Sequence, residues 1–188
     1  MYSLKAIDQN EWSAIIADAV GLRLKKGALI FRKGDRCDKE VFLEEGIVRG
    51  FLIDEDGNEK STAFFQQGEF VSMLALRTQN GLSLYNYEAL TPVKLLLFDS
   101  KLLKRSLSES KKRIALGKEI KERESRRLLD RDDCLLQVKA ADKYRKFVGY
   151  YPSLESRISQ RYIASYLGIT PVSLSRVKKS LNTRTINN

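Results

Sequence analysis

Four glycines set the frame of the first half of the chain: Gly34, Gly46, Gly57 and Gly68 recur at intervals of 12, 11 and 11 residues. Between them lie short apolar runs, EVFLEEG, IVRGFLIDEDG and EKSTAFFQQG, each about the length of one strand and its turn. Glycine punctuation this dense leaves little room for helix, so residues 22–99 read as an all-β unit of strand, turn and strand. DEDGNE is the clearest hairpin signal, because Asp56-Gly57 tolerates the positive φ of a tight turn. Alternation on its flanks predicts Phe51, Ile53, Ala63 and Phe65 pointing inward. Taken alone, the pattern fits a plain β-barrel or sandwich equally well.

From about residue 100 to 136 the pattern becomes helical and strongly charged. Leu107, Ile114, Leu128 and Leu135 fall at multiples of seven, with Lys121 on the intervening step. A narrow apolar stripe on an otherwise polar helix is what a two-helix seam needs. These four residues are therefore the expected dimer seam, a helix packed on its own β-domain being the alternative. Residues 137–150, QVKAADKYRKFVGY, read as another helix, and Tyr151-Pro152 ends it because a residue before proline disfavours the helical conformation.

Charge is divided unevenly. Residues 1–100 carry 12 Lys/Arg against 15 Asp/Glu, residues 101–150 carry 16 against 8, and residues 151–188 carry 6 against 1, within a net charge of +10. A near-neutral first half joined to a basic second half suggests two tasks, the second involving a polyanion. Histidine is absent, which rules out Ser/His/Asp and Cys/His triads, His-ligated haem and His-rich metal sites. Carboxylates occur in mixtures such as DEDGNEK and DRDD, the composition of solvated turns and helix ends rather than acid/base pairs. Catalysis is not expected, and neither is a cofactor or metal. Two cysteines, Cys37 and Cys134, are too few for a disulfide framework, and both read as structural thiols. No apolar run approaches the roughly 18 residues of a membrane span, and the charged N-terminus does not resemble a secretory signal. The expected location is the cytoplasm, without membrane association.

The segment SQRYIASYLGITPVSLSRVKKSL, residues 159–181, carries the chemistry. Ser159 is placed to cap a first helix, with Ile163, Ala164 and Leu167 facing inward and Gly168 supplying a positive φ for a sharp turn. Ile169 plugs the corner. Thr170 then stands as an N-cap and Pro171 at the first helical position, where its missing N–H costs nothing. Leu174 and Val177 hold the second helix against the first. Its other face offers Val172, Ser173, Ser175, Arg176 and Lys179, with Lys178 and Arg161 nearby, and no acid follows residue 155. This describes a helix-turn-helix whose second helix enters the major groove. Arg161, Thr170, Val172, Ser173, Ser175, Arg176, Lys178 and Lys179 are the expected DNA-contacting residues. A basic helical hairpin that packs on something else is the bland alternative.

The β-unit glycines, GEF at 68–70, the long helix and the final RYIASYLGITPVSLSRVKKSL together resemble the Crp/Fnr-family transcription regulators over nearly the whole chain. The C-terminal motif is specific; the β-roll motif is less so. The resemblance implies an α+β protein: an antiparallel, cyclic-nucleotide-binding-like β-roll (1–100), a dimerisation helix (101–136) and a helix-turn-helix domain (137–188). It implies a homodimeric, sequence-specific regulator, in which Arg176 matches a family residue that contacts DNA. Double-stranded DNA with a palindromic operator, a second copy of the chain and RNA polymerase are the candidate partners. The effector is not identified by the residues.

Three departures from the family pattern matter. Val172 stands where relatives often carry Glu, so it can meet a thymine methyl but cannot accept from cytosine. Glu69 is kept, but the Arg that clamps a cyclic phosphate is replaced by the Ser83-Leu84 step. The expected effector pocket, with Glu69, Ser72, Ser83 and Leu84, thus lacks its cation, and cyclic AMP is not expected to bind. Arg49 and Arg77 are the candidate substitutes. The chain also stops at NTRTINN, soon after the second helix, so the wing is expected to be incomplete. A small-molecule-binding module whose basic tail engages RNA or a protein is the competing function, and an enzyme of cupin-like shape is a third.

Overall fold

The computed structural model describes residues 8–72 and 80–186, and it separates into two compact units. One comprises the residues up to Gly50 with Phe64–Glu124; the other comprises Phe51–Ala63 with the residues from Ser125 onward. The elements, in chain order, are α1 (Gln9–Ile16), β1 (Val20–Leu24), β2 (Leu29–Phe31), β3 (Lys39–Glu45), β4 (Ile47–Ile53), β5 (Glu59–Gln66), β6 (Glu69–Ser72), β7 (Asn86–Ala89) and β8 (Val93–Asp99). After them come α2 (Ser100–Ser106), α3 (Lys111–Leu136), α4 (Ala140–Tyr150), a 3-10 turn (Leu154–Ser156), α5 (Gln160–Leu167) and α6 (Pro171–Ile186). This is the mixed α+β architecture with antiparallel strands that the sequence predicts.

The strands form two four-stranded sheets, ordered β1-β8-β3-β6 and β2-β7-β4-β5. The punctuating glycines do what their spacing requires: Gly34, Gly46, Gly57 and Gly68 all have φ between +80° and +101°. Gly46 is the most constrained, since a Cβ there would sit 2.5 Å from the Pro92 carbonyl oxygen. No other residue fits that turn without moving the backbone.

Central strand β3 departs from simple alternation, because Glu40, Val41, Phe42 and Leu43 are all buried. A strand covered on both faces has no solvent side to alternate with. Phe42, with Phe70 and Phe98 from neighbouring strands, packs on Ile15 of α1, Leu103 of α2 and Leu116 and Ile120 of α3. Trp12 adds a tilted ring contact, its centroid 4.8 Å from that of Phe42. Burial of this many aromatic rings is the main adhesive of the first unit.

The predicted hairpin is present: the Asp54 and Asn58 backbones pair at 3.0 Å, and Asp54 Oδ1 accepts from the Asn58 N–H at 2.7 Å. Its flanks differ from the prediction. Phe51 and Phe65 are buried and Ala63 half-buried, but Ile53 is 58% exposed and Phe64 is fully buried. Beside the turn, Ile53 lies at the surface although it keeps the strand alternation.

The helix expected from 100 to 136 is two helices. Asp99 accepts from the N–H groups of Lys101 and Leu102 to begin α2, which ends at Leu107, and α3 begins only at Lys111. In the second unit α4 ends at Tyr150, ahead of Tyr151-Pro152 as predicted. There Phe147, Tyr151 and Tyr166 pack ring against ring, with centroids 5.3 to 5.9 Å apart, around fully buried Leu154, Ile163, Leu167 and Leu174. Among the described residues no helix is long and apolar enough to cross a membrane.

Candidate nucleic-acid interface

The second unit fixes the orientation of α6 through three local devices. Gly168 closes α5 in the left-handed region, φ 62° and ψ 36°, and the Ile169 N–H reaches back to the Ala164 carbonyl at 3.0 Å. This is the helix-terminating geometry that glycine adopts without strain. Thr170 then caps α6: its Oγ1 accepts from the Ser173 N–H at 3.1 Å and exchanges a further bond with the Ser173 hydroxyl at 2.9 Å. Pro171 occupies the first helical position. Ser159 stands at the N-cap of α5 in extended backbone, but its side chain makes no capping bond; only its carbonyl engages, accepting from Tyr162 N–H.

Packing then divides the surface of α6. Leu174 is fully buried and Val177 half-buried, so the helix is held by the face predicted to hold it. Val172, Ser175, Arg176 and Lys179 are exposed. The other four predicted residues are committed within the unit. Thr170 and Ser173 form the cap. Lys178 pairs with Glu155, the last acid in the chain, at 3.5 Å. Arg161 folds over its neighbour, its guanidinium 4.6 Å from the Tyr162 ring centroid and donating to the Tyr162 hydroxyl at 2.6 Å. Lys143 donates to the Leu167 carbonyl at 3.2 Å, setting a cation at the negative end of α5.

One residue with a positioning role escapes sequence reasoning. Ser165, on α5, donates its hydroxyl to the Glu59 carbonyl at 2.8 Å and accepts from the Ser61 N–H at 2.9 Å. It thereby ties the hairpin strand to the helix-turn-helix across more than 100 residues of sequence. Nothing local to Ser165 announces this.

The titratable groups behind α6 are held neutral or paired. Burial raises the Tyr166 phenol well above its ordinary value. Burial and the Glu155 carboxylate do the same for Tyr144. Tyr150 donates to Asp133, whose charge pushes the phenol up to about 12. Asp133 is in turn held below the usual carboxylate range by Tyr150 and by Lys146, 3.0 Å away. Cys134 is raised to about 12 by burial and by Asp133 and Asp130.

The predicted effector residues are engaged with backbone. Glu69 Oε2 accepts from the Gln66 N–H at 2.6 Å, bracing the turn at Gly68. Ser83 is buried, its hydroxyl donating to the Tyr85 carbonyl at 2.7 Å, and Leu84 lies at the surface. Arg49, one of the two candidate cations, is 1% exposed and paired with Glu88 at 2.6 Å. The Ser72 side chain and Arg77 lie outside the described residues.

Along the predicted seam, Ile114 and Leu128 are 56% and 48% exposed, while Leu116 and Ile120 face inward. Leu129 and Leu136 are also exposed. Leu135 is half-buried beside the turn, its Cδ2 3.5 Å from where a Cβ on Gly168 would sit. Leu107 does not belong to this helix: it caps α2 and packs against the aromatic core of the first unit. The break at 107–110 removes it from the heptad stripe.

Comparison with known proteins bears on this arrangement. Residues 22–110 match the family described as cyclic nucleotide-binding domain. No curated protein matches the chain by sequence. Among solved structures, the chain is similar to the c-di-GMP responsive global regulator CLP of Xanthomonas campestris, with 21% identity, TM-score 0.74, and coverage of 95% of this chain and 93% of that one. FixK2 of Bradyrhizobium japonicum gives 18% identity and TM-score 0.74, over 89% and 86% of the two chains. A CRP-family transcriptional regulator of Thermus thermophilus gives 17% and 0.68, over 87% and 85%.

Proposed function

Because the chain carries a cyclic nucleotide-binding domain within the fold of the Crp-type regulators, we propose that it is a homodimeric, sequence-specific DNA-binding transcription regulator and not an enzyme. The observation that carries this reading is the outer face of α6. That helix starts at a defined residue, is anchored by Leu174, and presents Val172, Ser175, Arg176 and Lys179 to solvent with no acid in its length. A helix of that kind reads base edges with Arg176 and a thymine methyl with Val172, while Lys179 meets phosphate. Thr170 and Ser173 fix the approach of the helix N-terminus to the backbone, and Arg161 adds charge beside it, while Lys178 reaches phosphate only by leaving Glu155.

Dimerisation supplies the second recognition helix. The exposed Ile114, Leu128, Leu129 and Leu136 give α3 an apolar surface to bury against a second copy, so that two half-sites about 34 Å apart are read together. Selection from a pool of random duplexes tests the reading. A palindrome with that spacing is expected; selection of no duplex, or tighter binding to structured RNA, would overturn it.

The β-domain does not bind cyclic AMP or cyclic GMP at micromolar concentration. A cyclic phosphate keeps its full charge, and removing it from water requires a cation and donors in compensation. Glu69 adds a like charge, Ser83 is occupied, and Arg49 is neutralised by Glu88. Calorimetry decides this: saturable micromolar binding lost in Arg77→Ala would restore a nucleotide sensor.

A further inference from the structure

The first unit contains a cavity of about 550 Å³ between α2 and α3, on the side of the sheet that carries the aromatic core. Phe70, Leu103, Leu107, Ile114 and Ile120 form its walls. It is distinct from the residues expected to hold an effector, since it includes neither Glu69, Ser83 nor Leu84. A mostly apolar hollow of this size lies within the range of small-molecule sites. At about 30 Å³ per heavy-atom-sized group, the share of a water molecule in the liquid, its volume corresponds to roughly 15 to 20 heavy atoms.

Two further features give the cavity a chemical preference. The first is Gly117, which lines it from the middle of the 26-residue helix α3. Glycine weakens a helix interior, and a Cβ there would meet only Leu107, at an ordinary 3.7 Å. Nothing in the packing demands the missing side chain; its effect is to leave the cavity open. The second is charge. Lys104, Lys118 and Lys121 stand exposed around the mouth, while the one acidic residue of the lining, Glu40, is 3% exposed. Lys118 has a loose partner in Glu122, 3.7 Å away, and Lys104 and Lys121 have no ion-pair partner among the described residues. A ligand with an anionic head is drawn to the mouth and repelled from the depth, so its tail enters first.

We infer that this cavity binds an amphipathic carboxylate, a fatty acid of medium to long chain, with its tail between α2 and α3 and its head among Lys104, Lys118 and Lys121. The apolar walls supply the affinity through buried chain, and the lysines supply the selection for a negative head. The inference does not depend on DNA binding, and its failure leaves that reading untouched.

Calorimetry of the full chain with dodecanoate is the test, with dodecyltrimethylammonium as the probe of equal tail and opposite charge. One dodecanoate per protomer is expected to bind at micromolar concentration, with the cationic probe at least tenfold weaker. Lys104→Gln with Lys121→Gln, two surface changes that leave the core intact, is expected to lower dodecanoate affinity about tenfold. Gly117→Leu, which fills the cavity and favours the helix, is expected to abolish binding. Absence of saturation, equal binding of the two probes, or undiminished binding in Gly117→Leu would each overturn the proposal. So would binding that appears only in a monomer made by Leu128→Asp with Leu136→Asp, two exposed positions outside the cavity lining, because a second copy would then be the natural occupant. Circular dichroism checks the fold of Gly117→Leu; if that variant does not fold, the lysine pair and the cationic probe decide the matter.

Discussion

Arg176 is the residue on which the DNA-binding reading can be tested most sharply. It lies exposed on α6, and no ion-pair or hydrogen-bond partner is found for it among the described residues. Truncating it to alanine removes nothing from the free protein, so stability should stay within about 0.5 kcal/mol of the parent. On the operator the loss is different. A bidentate arginine contact to guanine is worth about 1–3 kcal/mol of base discrimination, and a homodimer carries the change in both half-sites. The combined cost is about 2–6 kcal/mol, or roughly 30-fold to above 10⁴-fold in affinity at about 1.4 kcal/mol per decade. Random duplex should lose far less, because there Arg176 acts only as one charge among several. Fluorescence anisotropy on the selected palindrome and on a scrambled duplex, repeated over a salt series, separates the two. Lys179→Ala is the control: it should weaken both duplexes alike and lower the salt slope by about 1 per half-site. Equal losses on the two duplexes for Arg176→Ala would refute a base-reading role.

Other expectations follow from the packing. Ile114→Asp with Leu128→Asp places charge on the exposed stripe of α3 and should give monomers whose operator affinity falls by far more than tenfold; a double variant that sediments as a dimer would show that α3 is not the seam. Ser165→Ala removes both bonds to the hairpin strand and leaves the N–H of fully buried Ser61 unsatisfied, so urea unfolding should show a loss of about 2–4 kcal/mol; a loss under about 0.5 kcal/mol would mean that water replaces the hydroxyl. Asp133 has a depressed value in the folded protein, held down by Tyr150 and Lys146. Its contribution is therefore present above the ordinary carboxylate value of about 3.9 and is lost as pH falls through the folded value. Asp133→Asn should lower Tm at neutral pH and flatten its decline in acid, and a decline as steep as in the parent would assign acid sensitivity to other carboxylates.

What the sequence by itself determined is local in character. Gly34, Gly46, Gly57 and Gly68 mark turns because each must adopt positive φ, and that demand shows in spacing alone. Gly168, Thr170 and Pro171 end one helix and begin the next through bonds that span at most five residues. The inward placement of Leu174 follows from the same helical period. Tertiary structure decided whatever depends on partners distant in the chain. The heptad count includes Leu107, yet α2 ends there and Leu107 packs on the core of the first unit instead. Ile53 keeps the strand alternation, yet the folded chain leaves it exposed. Lys178 and Arg49 are indistinguishable from free cations in the sequence, and only folding brings Glu155 and Glu88 against them. Ser165 finds its two partners more than 100 residues away. The cavity beside Gly117 is lined from two strands and two helices, Glu40 and Phe70 with residues of α2 and α3, which only folding brings together. Backbone conformation is governed by neighbours in the chain, whereas charge pairing and cavities are governed by neighbours in space.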